Sequence, residues 1–274
     1  MAKNARATGI RYITAWVVPA VTTRRGGPRR ARSGPELAIG RIARVDRDRP
    51  RRVGVPEVVL AEGKTVDHLV AVVRALHRQR LGALISRPTE VQRTALEAER
   101  RRGVPIRWLA DGRLARLEGP LGVRYRRGTI AIVSAGTSDV PVAEEARAVL
   151  EELGLVTVTA YDIGVAGLHR LLRAVPRLER SRPEIYLAFA GREGALPTVL
   201  AGLVRAPVVG VPTSVGYGRA GAGESALNAM LQSCAPIAVV NIDAAVPAAL
   251  FAAQRFARPI VRRARPRARR PRRR

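Results

Sequence analysis

A single cysteine, Cys234, stands in the run Ala226-Leu-Asn-Ala-Met-Leu-Gln-Ser-Cys-Ala-Pro236, between a helical stretch and an apolar strand. With no second cysteine in the chain it cannot form an internal disulfide. It is therefore either a small buried apolar side chain or a nucleophile. Three glycine-rich turns upstream favour the nucleophile: Gly136-Thr-Ser-Asp139, Asp162-Ile-Gly-Val-Ala-Gly-Leu-His-Arg170 and Gly191-Arg-Glu-Gly194. In the first, backbone N–H groups and the hydroxyls of Thr137 and Ser138 suit a phosphate or carboxylate at a helix start, and Asp139 suits a proton acceptor; the plainer role is a helix cap. In the second, Gly164 and Gly167 allow close backbone approach, while His169 and Arg170 add donors. In the third, Glu193 is either half of a surface ion pair or a carboxylate beside the thiol. A fourth loop, Pro212-Thr-Ser-Val-Gly-Tyr-Gly218, carries hydroxyls and one aromatic ring and suits a lid or a ribose-phosphate contact. No G-x-G-x-x-G run opens a helix here, which disfavours a standard Rossmann dehydrogenase. No metal-ligand spacing is readable.

The elements that carry these turns alternate. Apolar strands are expected at 129–134, 156–161, 185–190, 208–211 and 237–242. Helices are expected at 142–153, from 168, at 195–204, at 225–233 and from about 244 to 256. Near-continuous apolar strands alternating with helices imply a parallel sheet covered on both faces. Each glycine-rich turn follows a strand's carboxyl end, where ligands bind in open α/β sheets. The same spacing is expected to bring Cys234 to that edge. Upstream, Thr65–Arg80 and Thr89–Arg101 read as helices, with Thr65 as an N-cap and Thr89 and Gln92 as a capping pair. Residues 83–85, 106–110 and 114–117 read as strands, the last two around an Asp111-Gly112 turn. The expected organisation is a disordered basic extension (1–35), a small α+β domain (36–122), an α/β catalytic domain (123–256) and a disordered Arg-rich tail (257–274).

Composition limits the function classes. One cysteine fits a reducing cytoplasm and excludes a disulfide scaffold. The net charge of +27 sits mainly on the ends: residues 1–32 carry eight Lys or Arg and 255–274 carry eleven Arg, with no acid in either segment. No apolar run reaches the roughly 18 residues of a membrane helix. The apolar stretch 13–21 is short, contains Pro19 and is read as a stray segment rather than a signal peptide. The basic ends would neutralise nucleic-acid phosphates without reading sequence, but aromatic interleaving for base stacking is missing.

Six ordered motifs carry a resemblance. They are Gly136-Thr-Ser-Asp139-Val-Pro-Val-Ala-Glu-Glu145, Asp162-Ile-Gly-Val-Ala-Gly-Leu-His-Arg170, Glu193-Gly-Ala-Leu-Pro197, Val211-Pro-Thr-Ser-Val-Gly-Tyr-Gly218, Met230-Leu-Gln-Ser-Cys-Ala235 and Val239-Val-Asn-Ile-Asp243. Together with Arg52-Val-Gly-Val-Pro-Glu57 and Glu62-Gly-Lys-Thr65, they resemble the LarB family over roughly residues 40–254. Its members are pyridinium-3,5-biscarboxylic acid mononucleotide synthases, which begin nickel-pincer cofactor synthesis for lactate racemase maturation. The second half also resembles PurE-type carboxy-aminoimidazole ribonucleotide mutases. The fold implied is a three-layer α/β/α, PurE-like and flavodoxin-like domain behind a small α+β domain.

The resemblance implies a cytoplasmic carboxylase and hydrolase acting on nicotinic acid adenine dinucleotide and carbon dioxide or bicarbonate. Its product is the biscarboxylated mononucleotide, with release of AMP. It implies Cys234 as nucleophile, with Glu193 and Asp139 as its catalytic partners. Gly136, Thr137, Ser138, Asp162, Gly164, Gly167, His169, Arg170, Gly191, Thr213, Ser214, Gly216, Tyr217, Gly218, Asn241, Asp243 and Lys64 fall at substrate-binding positions. No tightly bound cofactor is implied; Mg2+ is the ion considered for the hydrolysis. A homo-oligomer, with an octamer as one form, and no membrane partner complete the expectation. The alternatives are a PurE-type mutase and nucleic-acid binding through the Arg-rich ends. Two positions depart from the family pattern: Ala244-Ala-Val-Pro247 replaces a Gly- and Asn-rich turn, and Arg192 replaces a methionine.

Overall fold

The structure, a computed structural model, describes residues 36–216 and 218–258. The expected amino-terminal extension, Tyr217 and the Arg-rich tail beyond Arg258 lie outside the described residues.

The described residues begin with an antiparallel hairpin, β1 (Glu36–Ile39) and β2 (Ala43–Asp46), paired through Leu37 and Val45. A short helix, α1 (Arg49–Val53), leads to β3 (Val58–Leu60). These three strands and α1 are not in the sequence-based reading. At three to five residues each, they are too short to show a period. Helix α2 (Val66–Arg78), strand β4 (Ala83–Ser86) and helix α3 (Glu90–Arg101) follow. The caps are those expected. Thr65 accepts from His68 N, and Thr89 and Gln92 form a reciprocal capping box. Strands β5 (Ile106–Leu109) and β6 (Leu114–Leu117) close a four-stranded mixed sheet of order β3-β4-β6-β5.

The second half alternates strictly. Strands β7 (Thr129–Ser134), β8 (Val156–Ala160), β9 (Ile185–Ala190), β10 (Val208–Pro212) and β11 (Ile237–Val239) are joined by helices α4 (Val140–Glu152), α5 (Leu168–Glu179), α6 (Ala195–Ala201) and α7 (Glu224–Leu231). Helix α8 (Ala245–Gln254) follows the last strand. All five strands run parallel in the order β11-β10-β9-β7-β8. Strand periodicity sorts the side chains between two layers. Ile130, Ile132, Leu187 and Phe189 pack with α4 and α8, whereas Ala131, Val133, Tyr186 and Ala188 pack with α5, α6 and α7. This is the three-layer α/β arrangement expected from the apolar strands.

The two sheets share apolar packing. Leu84 of β4 and Leu114 of β6 are fully buried in the same core as α4, α8 and Phe256. A separate core fills the space between the small sheet and α2 and α3, around Leu69, Leu76, Ile85 and Leu96. Past α8 the chain pairs back, Tyr125 bridging Ala257 and Arg258 N donating to Arg124 O at 2.9 Å.

Candidate active site

The strand order places a switch point between β7 and β9, since the chain leaves β7 toward β8 and then returns to the other side. A crevice opens outside the carboxyl ends of strands at such a point. Here it is a cavity of about 460 Å³ lined by Gly136, Ser138 and Asp139 from the β7 turn, Gly164 and Arg170 from the β8 turn, Arg192 and Glu193 from the β9 turn, and Val215 and Gly216 from the β10 turn. Four consecutive β/α turns thus meet around one volume.

Asp139 is the best-anchored group in it. Its residue is only 4% exposed. One carboxylate oxygen accepts from Gly136 N at 2.8 Å, and the other from the fully buried Thr213 hydroxyl at 2.5 Å. Burial pushes the Asp139 carboxyl above the ordinary aspartate range; the two hydrogen bonds oppose the rise, and the charges of Glu193 and Asp243 add to it. A carboxyl raised in this way, in a crevice, is suited to proton exchange with a ligand.

The floor of the crevice needs glycine. A Cβ on Gly191 would lie 2.1 Å from the Val215 carbonyl oxygen, so the β9 and β10 turns touch through backbone alone. Gly194 adopts φ +64°, a left-handed conformation, with Ala226 O 2.6 Å from its would-be Cβ. Beside it, Arg170 pairs with Asp162, which orients the guanidinium at the rim. Ser134 Oγ accepts from Asp162 N at 3.2 Å and ties that turn to β7.

The profile of the AIR carboxylase family matches residues 129–264, the half that builds this crevice, and that of the LarB/PurE-like N-terminal domain matches residues 37–118. The order of the two along one chain decides the assignment. The chain belongs to the LarB family. Its carboxyl-terminal half is the PurE-like domain of that family. An uncharacterized protein of Methanocaldococcus jannaschii is 38% identical over 212 residues, spanning 76% of this chain and 82% of its own length. The N5-carboxyaminoimidazole ribonucleotide mutases of Pyrococcus horikoshii and M. jannaschii are each 32% identical, over 48% and 45% of this chain and 74% and 75% of their own lengths.

The other residues of this LarB-family chain that the sequence singled out fall into three groups. Thr213 acts behind the crevice through Asp139, and Asp162 through Arg170. Ser214, Asn241 and Asp243 face away from the crevice, toward cavities between the two sheets. There Ser214 N donates to Asp243 Oδ1 at 2.9 Å. Thr137, Gly167, His169, Gly218 and Lys64 line neither volume: Thr137 and His169 are exposed, Gly167 is buried against Arg170, and Lys64 offers its backbone carbonyl to Gln92 at 2.7 Å.

Cys234 does not join the crevice of its own chain. It is exposed and sits three residues before β11, at the amino end of a parallel strand whose carboxyl end leads to Asn241 and Asp243. The expected placement at the carboxyl edge is therefore corrected: helix α7 runs back from Gly223 to the far edge before the thiol is reached. The neighbouring Ser233 is held there by Thr198 Oγ1, which donates to its hydroxyl at 2.9 Å. Arg87, Arg93 and Arg113, to which the sequence assigns no role, share one cavity, and Arg113 approaches Glu145 of α4 at 3.5 Å. Among the described residues no group of three or more His, Cys, Asp or Glu gathers as metal ligands, and no helix is long and apolar enough to cross a membrane.

Proposed function

We propose that this chain carboxylates the pyridinium ring of nicotinic acid adenine dinucleotide and hydrolyses its phosphoanhydride, giving pyridinium-3,5-biscarboxylic acid mononucleotide and AMP. The observation that carries the reading is the raised, doubly hydrogen-bonded Asp139 in the switch-point crevice, joined in one chain to a LarB-type amino-terminal domain. The mutase relatives match less than half of this chain, and the LarB/PurE-like amino-terminal domain at residues 37–118 favours the synthase over the mutase.

The pyridinium ring is electron-poor and does not attack carbon dioxide. A thiolate adding at ring carbon 4 discharges the ring nitrogen and leaves an enamine nucleophilic at carbon 5. Carbon 5 attacks carbon dioxide, and a base removes the carbon 5 proton. Expulsion of the thiolate then restores the aromatic cation. Asp139 is the base at carbon 5. Glu193 lines the same cavity and takes the role of receiving the thiol proton. Arg170 and the backbone of the β7 turn hold the pyridine carboxylates through charge-assisted bonds. Because Cys234 stands at the opposite edge, its thiol enters this crevice from a second copy in a homo-oligomer.

The test is mass spectrometry of products after incubation with the dinucleotide and 13C-bicarbonate. AMP together with a mononucleotide carrying one labelled carboxyl group is expected. Interconversion of carboxylated aminoimidazole ribonucleotides without that product would replace the synthase with a mutase.

A further inference from the structure

The crevice occupies the carboxyl ends of the parallel strands; their amino ends carry an arginine face. Arg124 and Arg127 precede β7, Arg180 and Arg182 precede β9, and Arg255 and Arg258 follow α8. All six are exposed. Strands β7 and β9 are hydrogen-bonded neighbours, and Glu184 N donates to Thr129 O at 2.9 Å where they begin. Arg126 N donates to Phe256 O at 2.8 Å and Arg258 N to Arg124 O at 2.9 Å, which lays the segment after α8 alongside. Three segments remote in sequence thus bring their guanidinium groups to one face.

The carboxylates at this end leave most of that charge unpaired. Glu184 is held by Arg126 and approached by Arg255 at 3.9 Å. Arg126 in turn lies 4.7 Å over the Phe256 ring. Glu179 accepts from the Tyr186 hydroxyl. At the end of α4, Glu151 pairs with Arg147, and Glu152 with Arg107 and Arg116. Among the described residues, Arg124, Arg127, Arg180, Arg182 and Arg258 pair with no carboxylate. Like charges gathered in this way repel one another and create a field that draws a polyanion.

We propose that this face, together with the Arg-rich sequence that continues from Arg258, docks on the phosphate backbone of a nucleic-acid duplex. Residues 259–274 add nine arginines and no acid. A duplex carries about one negative charge per 1.7 Å of its axis, and guanidinium forks take phosphate oxygens bidentately. Three observations select this partner among polyanions. A single strand needs aromatic platforms for its bases, whereas Phe256 is buried, the Tyr125 hydroxyl is committed to Gly54 O at 2.9 Å, and 259–274 has no aromatic residue. A lipid surface needs apolar anchors, and 259–274 offers only Ile260 and Val261 as large apolar side chains. A specific protein partner needs an apolar centre. The exposed apolar side chains beside this face, Val156 at the start of β8 and Leu203 before β10, stand on opposite sides of β7 and β9 and form none. A duplex bound here leaves the crevice open, because the two sites lie at opposite ends of the same strands.

The experiment is fluorescence anisotropy of labelled duplexes of about 20 base pairs, one DNA and one RNA, titrated with the full chain between 50 and 200 mM KCl. Both are expected to bind whatever their sequence, and to weaken about a thousandfold across that range. Combining Arg124→Gln, Arg127→Gln and Arg180→Gln in one chain is expected to weaken binding about tenfold or more at 50 mM KCl, and to reduce the slope of log affinity against log salt by about three. Arg255→Gln with Arg258→Gln is expected to reduce it by about two, and repeats the test should the triple variant fail to fold by circular dichroism. Variants that keep the parental affinity and slope would assign the binding to the terminal sequences alone and overturn the face. Binding absent at 50 mM KCl overturns the proposal. Equal or tighter binding to a single strand, to anionic phospholipid vesicles or to polyglutamate of matched charge overturns the choice of partner.

Discussion

Thr213→Val is the substitution that isolates the proposed base. The hydroxyl is fully buried and donates to Asp139 Oδ1 at 2.5 Å, so replacing it with a methyl group removes one of the two bonds that hold the carboxylate ionised. A hydrogen bond to a charged group contributes roughly 1.5–3 kcal/mol. Losing that bond from the ionised form pushes the already raised Asp139 carboxyl further up. If ionised Asp139 takes the carbon 5 proton, the acid limb of the rate profile moves up with it. On that limb the variant is about ten- to a hundredfold slower, converging on the parent at high pH. The sign of the stability effect follows from linkage. A carboxyl whose folded value lies above its unfolded value of about 3.9 contributes stability that is complete below pH ~3.9 and is lost as pH rises through the folded value. Thr213→Val widens that gap, so it loses most stability toward neutral and high pH and least in acid. Initial rates from pH 5 to 9 beside denaturant midpoints at the same pH values measure both. A folded variant whose acid limb stays in place would refute the role given to Asp139.

Two further outcomes follow from the geometry. Cys234→Ser and Glu193→Gln are each expected to be inactive but folded, and co-expression of the two is expected to recover about one quarter of the parental activity, because a site drawing its thiol from a second copy is intact in one pairing of four. No recovery in verified mixed oligomers would mean that both groups come from one chain. Gly191→Ala sets a Cβ 2.1 Å from the Val215 carbonyl and must part the β9 and β10 turns. A displacement of about 1 Å at the crevice is expected to lower kcat/KM about a hundredfold with the far-ultraviolet spectrum unchanged; unaltered kinetics would show that this close approach is not needed.

The catalytic half was legible because its signals are strong ones. Thr129–Ser134 and Ile185–Ala190 are near-continuously apolar, as strands covered on both faces must be, and both form at the expected positions. Thr89 and Gln92 announced α3 by chemistry rather than by period. The hairpin at 36–46 was hidden because its strands, Glu-Leu-Ala-Ile and Ala-Arg-Val-Asp, are four residues long and half exposed. Within the site, the turns after β7 and β9 came together because both follow carboxyl ends flanking the switch point. Cys234 did not, for the same topological reason: a residue that precedes a parallel strand lies at the other edge. Whether a residue follows or precedes a parallel strand sets its edge, and closeness along the chain to the glycine-rich turns does not. Arg87, Arg93 and Arg113 carry no local signature, since each belongs to a different turn or helix.

The burial of Leu84 and Leu114 beneath α4 and α8 has an evolutionary reading. A domain recruited as a bead on a string can be lost or exchanged with a cut in its linker. Here the small sheet shields apolar surface of the catalytic layer, and a chain cut back to the catalytic half would meet water along the α4–α8 face. The two parts are thereby bound to one inheritance: substitutions in either core are tolerated only as far as the other accommodates them, and the pair drifts as a unit.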